Sequence, residues 1–162
     1  MIMVGKKIAF AGAIIGLAMA LSLAPQLRAG ETGAVEVQDL IAARQGGMVM
    51  SVFTLARLSA AATDDKPLTG AAFPASGLAT FARSLPTLFA PGTRSSSGHS
   101  KALPSVWDDA DGFAARIADY QAATGELEAA AKTDDRAAFT AALAKTKAAC
   151  KACHDSYRAE VQ

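Results

Sequence analysis

Two sulfurs and an imidazole stand together near the end of the chain, in the order Cys150-Lys151-Ala152-Cys153-His154. On a helix, side chains three apart share a face, so both thiols are presented to the same object. Two thiols at that spacing suit addition to the two vinyl groups on one edge of a porphyrin, and the adjacent imidazole can reach the iron. Cys-x-x-Cys-His is the attachment sequence of c-type haem. Thioether links also spare a small domain the large pocket that non-covalent retention would need.

Three other chemistries fit these residues less well. An exported protein with two cysteines is usually read for one disulfide, and a disulfide leaves His154 without a role. A thioredoxin-like pair follows a strand in an α/β chain. A zinc site takes about four ligands, and the only other histidine, His99, lies far off in a loop. The expectation is one covalent haem c, with His154 as an axial ligand of its iron.

The elements that must position these groups read as helices. From Val35 to about Ala62 the apolar residues Val37, Leu40, Ile41, Met48, Val52, Leu55 and Leu58 recur in steps of three and four, the pattern of an amphipathic helix. Gly46 and Gly47 inside it cost about 1 kcal/mol each against alanine, so a close neighbour, either a flat ligand or another helix, is expected beside them. A second helix runs from about Thr69 to Phe89, with Leu78, Phe81, Leu85 and Phe89 as core and with Pro74 and Pro86 trimming or kinking it. Residues 90–100, rich in Gly, Ser and Pro and carrying His99, form a long loop. Pro104 opens a third helix bearing Val106, Phe113, Ile117, Tyr120 and Leu127. Thr133 and Asp134 are good caps for a fourth, whose stripe is Phe139, Leu143, Thr146, Cys150, Cys153 and Tyr157. No segment alternates with period two. The fold class is all-α, and four helices with short links imply an antiparallel four-helix bundle.

Residues 1–29 have the order of a secretory signal: Lys6 and Lys7, an uncharged apolar run over Ile8–Leu23, then small residues up to Ala29. The run is shorter than the ~20 residues of a spanning helix, so cleavage near Ala29 and a periplasmic domain over 30–162 are expected rather than an anchor. Losing Lys6, Lys7 and Arg28 takes the chain from +1, with 16 basic and 15 acidic side chains, to −2. So neutral a domain has no long-range attraction for nucleic acid, which is excluded as a partner.

The terminal run Cys150-Lys151-Ala152-Cys153-His154-Asp155-Ser156-Tyr157-Arg158 resembles the haem-binding end of cytochrome c′, the class II c-type cytochromes. Arg44-Gln45-Gly46-Gly47-Met48 resembles the family's arginine–glutamine pair with the distal residue one turn later. Leu85–Thr93 and Lys101–Trp107 resemble the segments before and at the start of its third helix. The resemblance covers essentially the whole mature chain. It implies thioether links at Cys150 and Cys153, iron ligation by His154, and Arg44 and Gln45 beside the haem propionates. It also implies a haem contact at Lys101 and a place for Arg158 near the proximal face.

Met48 leaves two readings open. As a sixth ligand its sulfur would make a low-spin electron carrier. Packed over the iron instead, it would leave a five-coordinate site with an apolar pocket for NO or CO, and a methionine on an apolar stripe is more often core than ligand. The family contains both kinds. The distal stretch offers no acid, base or nucleophile, so a gas-binding and single-electron protein served by redox partner proteins is expected, not an enzyme. Family members commonly dimerise through the first two helices, and Val52, Leu55, Ala56 and Leu58 are candidates for a homodimer surface.

Overall fold

A computed structural model describes residues 36–94 and 100–160; the expected signal segment and His99 lie outside the described residues. Helix α1 spans Val37–Thr63, α2 Thr69–Leu88, α3 Ser105–Asp108, α4 Ala110–Thr133 and α5 Arg136–Tyr157, with one 3-10 turn at Pro91–Thr93. Among the described residues the only strand-like pairing is an isolated antiparallel bridge between Ala102 and Arg158. The expected four-helix bundle is present, built from α1, α2, α4 and α5.

The expected third helix is interrupted. Asp109 leaves helical geometry at φ −119° and ψ 60°, and its carboxylate accepts from the Gly112 N–H at 3.2 Å, so it closes α3 and caps α4. The fourth long helix starts later than Thr133 and Asp134 suggested. Thr133 ends α4, and Asp134 takes the left-handed conformation at φ 57°. Asp135 is the cap, accepting from the Ala138 N–H at 2.9 Å. Asp134 serves differently, accepting from the Leu68 N–H at 2.5 Å and so stitching the α4–α5 turn to the start of α2.

Both prolines lie inside α2 without ending it. Pro86 has no N–H for the carbonyl of Ala82, four residues back. Gln121 of α4 fills the gap, its Nε2 donating to that carbonyl at 3.1 Å. Arg136 plays a similar part at the end of α1, donating to the carbonyls of Ala61 at 2.7 Å and Lys66 at 2.6 Å.

Leu58, Leu68, Leu127 and Phe139 are fully buried at the centre. Buried Thr124 and Thr146 spend their hydroxyls on helix carbonyls one turn back, at 2.9 Å each. The α1 stripe is only half realised: Ile41 and Leu58 are core, while Val37 and Val52 remain 40% and 67% exposed. The cause is the packing order. α4 packs closely on α2 and α5, and α1 on α2, but α1 meets α5 only sparsely. Gly47 explains one of the two glycines, since a Cβ there would overlap the ring of Phe81. Plain helix–helix contact between α1 and α2 therefore accounts for it. Gly46 faces open space.

Candidate functional site

The thin seam between α1 and α5 opens into a cavity of about 520 Å³, within the ~300–1,000 Å³ of pockets that hold cofactors. All eight side chains singled out in the sequence line it: Arg44, Gln45, Met48, Lys101, Cys150, Cys153, His154 and Arg158. They come from three separate stretches. α1 brings the first three, the strand-like segment before α3 brings Lys101, and the end of α5 brings the rest.

The α5 wall holds the chemistry. Cys150 and Cys153 are free, half-buried thiols. Burial, then the neighbouring Cys153, pushes the Cys150 thiol up to about 11. Burial also raises Cys153, opposed by the positive charge of Arg116. Both therefore stand as neutral SH groups at pH 7. His154 moves the other way: burial and then Arg158 lower its pKa, opposed by Asp155. A neutral imidazole keeps the lone pair that a metal ligand needs.

Arg44 is 3% exposed and lies 4.5 Å above the Phe89 ring. Its Nη1 donates to the Leu88 carbonyl at 3.0 Å and to Thr93 Oγ1 at 3.2 Å, and its Nη2 donates to Ser100 Oγ at 3.0 Å. Burial lowers its pKa. Lys101 and Arg158 are exposed at the edge of the cavity. Met48 is half-buried, on the lining and against the core.

Of the lining residues, Ser51 and Arg116 escaped the sequence reading, and Tyr120 was read only as part of an apolar stripe. Helical spacing points to them, since Ser51 follows Met48 by three and Arg116 lies between Phe113 and Tyr120 on one stripe. They qualify the expected absence of polar groups. Ser51 Oγ donates to the Gly47 carbonyl at 2.8 Å, and burial, then Cys150, raises the Tyr120 phenol. At neutral pH the phenol keeps its proton.

The family model described as Cytochrome C' matches residues 39–158. The chain belongs to the cytochrome c′ family. It is a c-type haem protein whose cofactor is a covalently bound haem c, and a cavity lined by two thiols and an imidazole fits that group. Among curated relatives, cytochrome c′ of Rubrivivax gelatinosus is 46% identical over 72 residues, which is 44% of this chain and 55% of that protein's length. Cytochrome c-554 of Cereibacter sphaeroides is 33% identical over 127 residues, 76% of this chain and 95% of that one. The crystal structure of Rubrivivax gelatinosus cytochrome c′ superposes with a TM-score of 0.70 at 34% identity, covering 76% of this chain and 98% of that one. A ferrous variant of Alcaligenes xylosoxidans cytochrome c prime with bound NO does so with a TM-score of 0.70 at 25% identity, covering 80% and 100%. Among the described residues, no helix is long and apolar enough to cross a membrane.

Proposed function

We propose that Cys150 and Cys153 hold the haem as thioethers, that His154 ligates its iron, and that the protein binds NO or CO and passes single electrons in the periplasm after loss of residues 1–29. The observation that carries this reading is the shared cavity, with both thiols and the imidazole on its α5 wall and a largely apolar α1 face opposite. The haem supplies an iron that cycles between ferrous and ferric and can take a diatomic ligand.

The chain's own residues do the rest. Arg44, held by Leu88, Thr93 and Ser100, presents a fixed cation near the cavity and, with Gln45, stands to receive the propionates. Lys101 and Arg158 add positive charge at the rim. Met48, Val52 and Leu55 give the α1 wall an apolar surface that offers a neutral gas no charged competitor. Bound NO in the Alcaligenes xylosoxidans relative supports gas binding here. In this reading the protein acts by binding and electron exchange.

Met48 would in this reading pack against a bound haem without ligating it, and the iron would be free to take a gas. The place of Met48 on the cavity lining also supports the alternative, a six-coordinate carrier with Met48 as second axial ligand. Absorption spectra of the ferric and ferrous protein, with and without CO, separate the two. A high-spin spectrum that shifts with CO supports the open site. A low-spin spectrum that ignores CO and turns high-spin in Met48→Ala establishes the carrier.

A further inference from the structure

The last turn of α5 is held from outside, and all of its holders come from one stretch of chain. Tyr157 is the final residue of the helix, so the carbonyls of its last turn lack helical partners. The Leu103 N–H donates to the Tyr157 carbonyl at 2.9 Å, and Ser105 Oγ donates to the Ser156 carbonyl at 3.2 Å. The Ala159 N–H donates to the Lys101 carbonyl at 2.8 Å, completing the bridge. The Tyr157 hydroxyl then donates to Asp109 Oδ2 at 2.6 Å. The same carboxylate caps α4 through Gly112.

Space at this point is used up. A Cβ on Gly112 would overlap the Asp109 carboxylate and stand 2.7 Å from the Tyr157 hydroxyl. The Tyr157 ring packs edge-on to Phe113 with centroids 5.1 Å apart, and Phe113 packs in the same way on Phe89 at 4.8 Å. Tyr157 lines the cavity and lies three residues after His154, on the helical face it shares with Cys150 and Cys153.

We infer that residues 101–109 form a clamp on the turn that carries His154, and that the Tyr157–Asp109 hydrogen bond sets the orientation of the imidazole toward the iron. Tyr157 and Asp109 are positioning residues, and this rests on the reading that His154 is the iron ligand. Free helix ends fray, and side chains on a fraying turn sample many directions. A phenol bonded to a fixed carboxylate removes that freedom one turn from the imidazole. Asp109 joins the start of α4 to the end of α5 through one group, so a shift of either helix reaches His154.

The test uses the haem-loaded protein with Tyr157→Phe, Asp109→Ser and the double variant. Phenylalanine keeps the ring packing and loses the donor. Serine keeps a good cap for α4 but is too short to hold the phenol. Two quantities are read: the iron–histidine stretching band of the ferrous protein by resonance Raman, and the reduction potential. Both single variants are expected to shift at least one of them in the same direction and by similar amounts, and the double variant no further. Leu143→Ala, a core change placed away from this contact, lowers the melting temperature and is expected to leave both where they are. Unchanged values in both single variants, or an equal shift in Leu143→Ala, overturn the proposal. Retention of iron–imidazole ligation in a His154→Ala protein would instead overturn the ligand assignment, and the proposal with it.

Discussion

The Arg44 guanidinium donates to the Leu88 carbonyl at 3.0 Å, joining the first half of α1 to the last residue of α2. Through Thr93 and Ser100 the same group also holds the segment that leads to Lys101. One buried cation thus positions three stretches of the cavity wall before it meets any ligand.

Replacing Arg44 by Met removes three hydrogen bonds and leaves the buried Leu88 carbonyl with only a 3.4 Å contact from Thr93. Losing such partners costs about 1–3 kcal/mol each where a polar group is left unpaired. Urea unfolding of Arg44→Met should show a loss of about 2 kcal/mol or more. Arg44→Lys should restore only part of it, since an ammonium lacks the planar fork that reaches acceptors on two sides. A change below about 0.5 kcal/mol, the ordinary surface range, would contradict this role.

The adjacent glycines should respond with opposite signs. Gly46→Ala adds a methyl in open space and gains up to about 1 kcal/mol of helix propensity. Gly47→Ala drives a methyl into the Phe81 ring, and overpacking of about 1–3 kcal/mol exceeds that gain. Thermal melts of the two proteins, one above and one below the parent, check this. Equal shifts of the same sign would mean that α1 and α2 are not so closely apposed at Gly47.

Gln121 should matter only because Pro86 is present. Gln121→Leu removes the donor to the Ala82 carbonyl and should cost about 1 kcal/mol. In a Pro86→Ala background the backbone N–H of residue 86 supplies that bond, and the cost of Gln121→Leu should fall toward zero. A double-mutant cycle by chemical denaturation measures the coupling. Additive effects would show that the side chain does not relieve the proline.

Val49, Met50, Val52 and Phe53 stand exposed on α1 at 57%, 61%, 67% and 65%, whereas Leu58, expected on a homodimer surface, is fully buried, so a homodimer through α1 would use the exposed four. Sedimentation of the haem-loaded protein should show a dimer that Phe53→Asp converts to monomer without loss of the haem spectrum. A parent that stays monomeric at high concentration rules this surface out.

What could be read from sequence was local. Cys150, Cys153 and His154 lie within five consecutive residues, and the stripes of α2, α4 and α5 repeat within a few turns, so spacing alone placed them. The partners of Arg44 lie 44, 49 and 56 residues away, and no spacing rule links them to it. Asp109 looked like one more helical residue because its break depends on a cap made to Gly112 and on the phenol of Tyr157. Pro86 suggested a kink because nothing near it in sequence satisfies the carbonyl it orphans, whereas the donor, Gln121, comes from another helix. Val52 read as core, but the seam between α1 and α5 that leaves it open is a property of how the helices assemble.

The most direct measurement is the intact mass of the protein matured in cells with the haem-ligation machinery, taken with its absorption spectrum and a thiol count. The account expects a coloured chain beginning near Gly30, heavier by one haem, with no free thiol, and with attachment reduced or lost in Cys150→Ser and Cys153→Ser. A colourless chain of unmodified mass, with both thiols free or joined to each other, would contradict it.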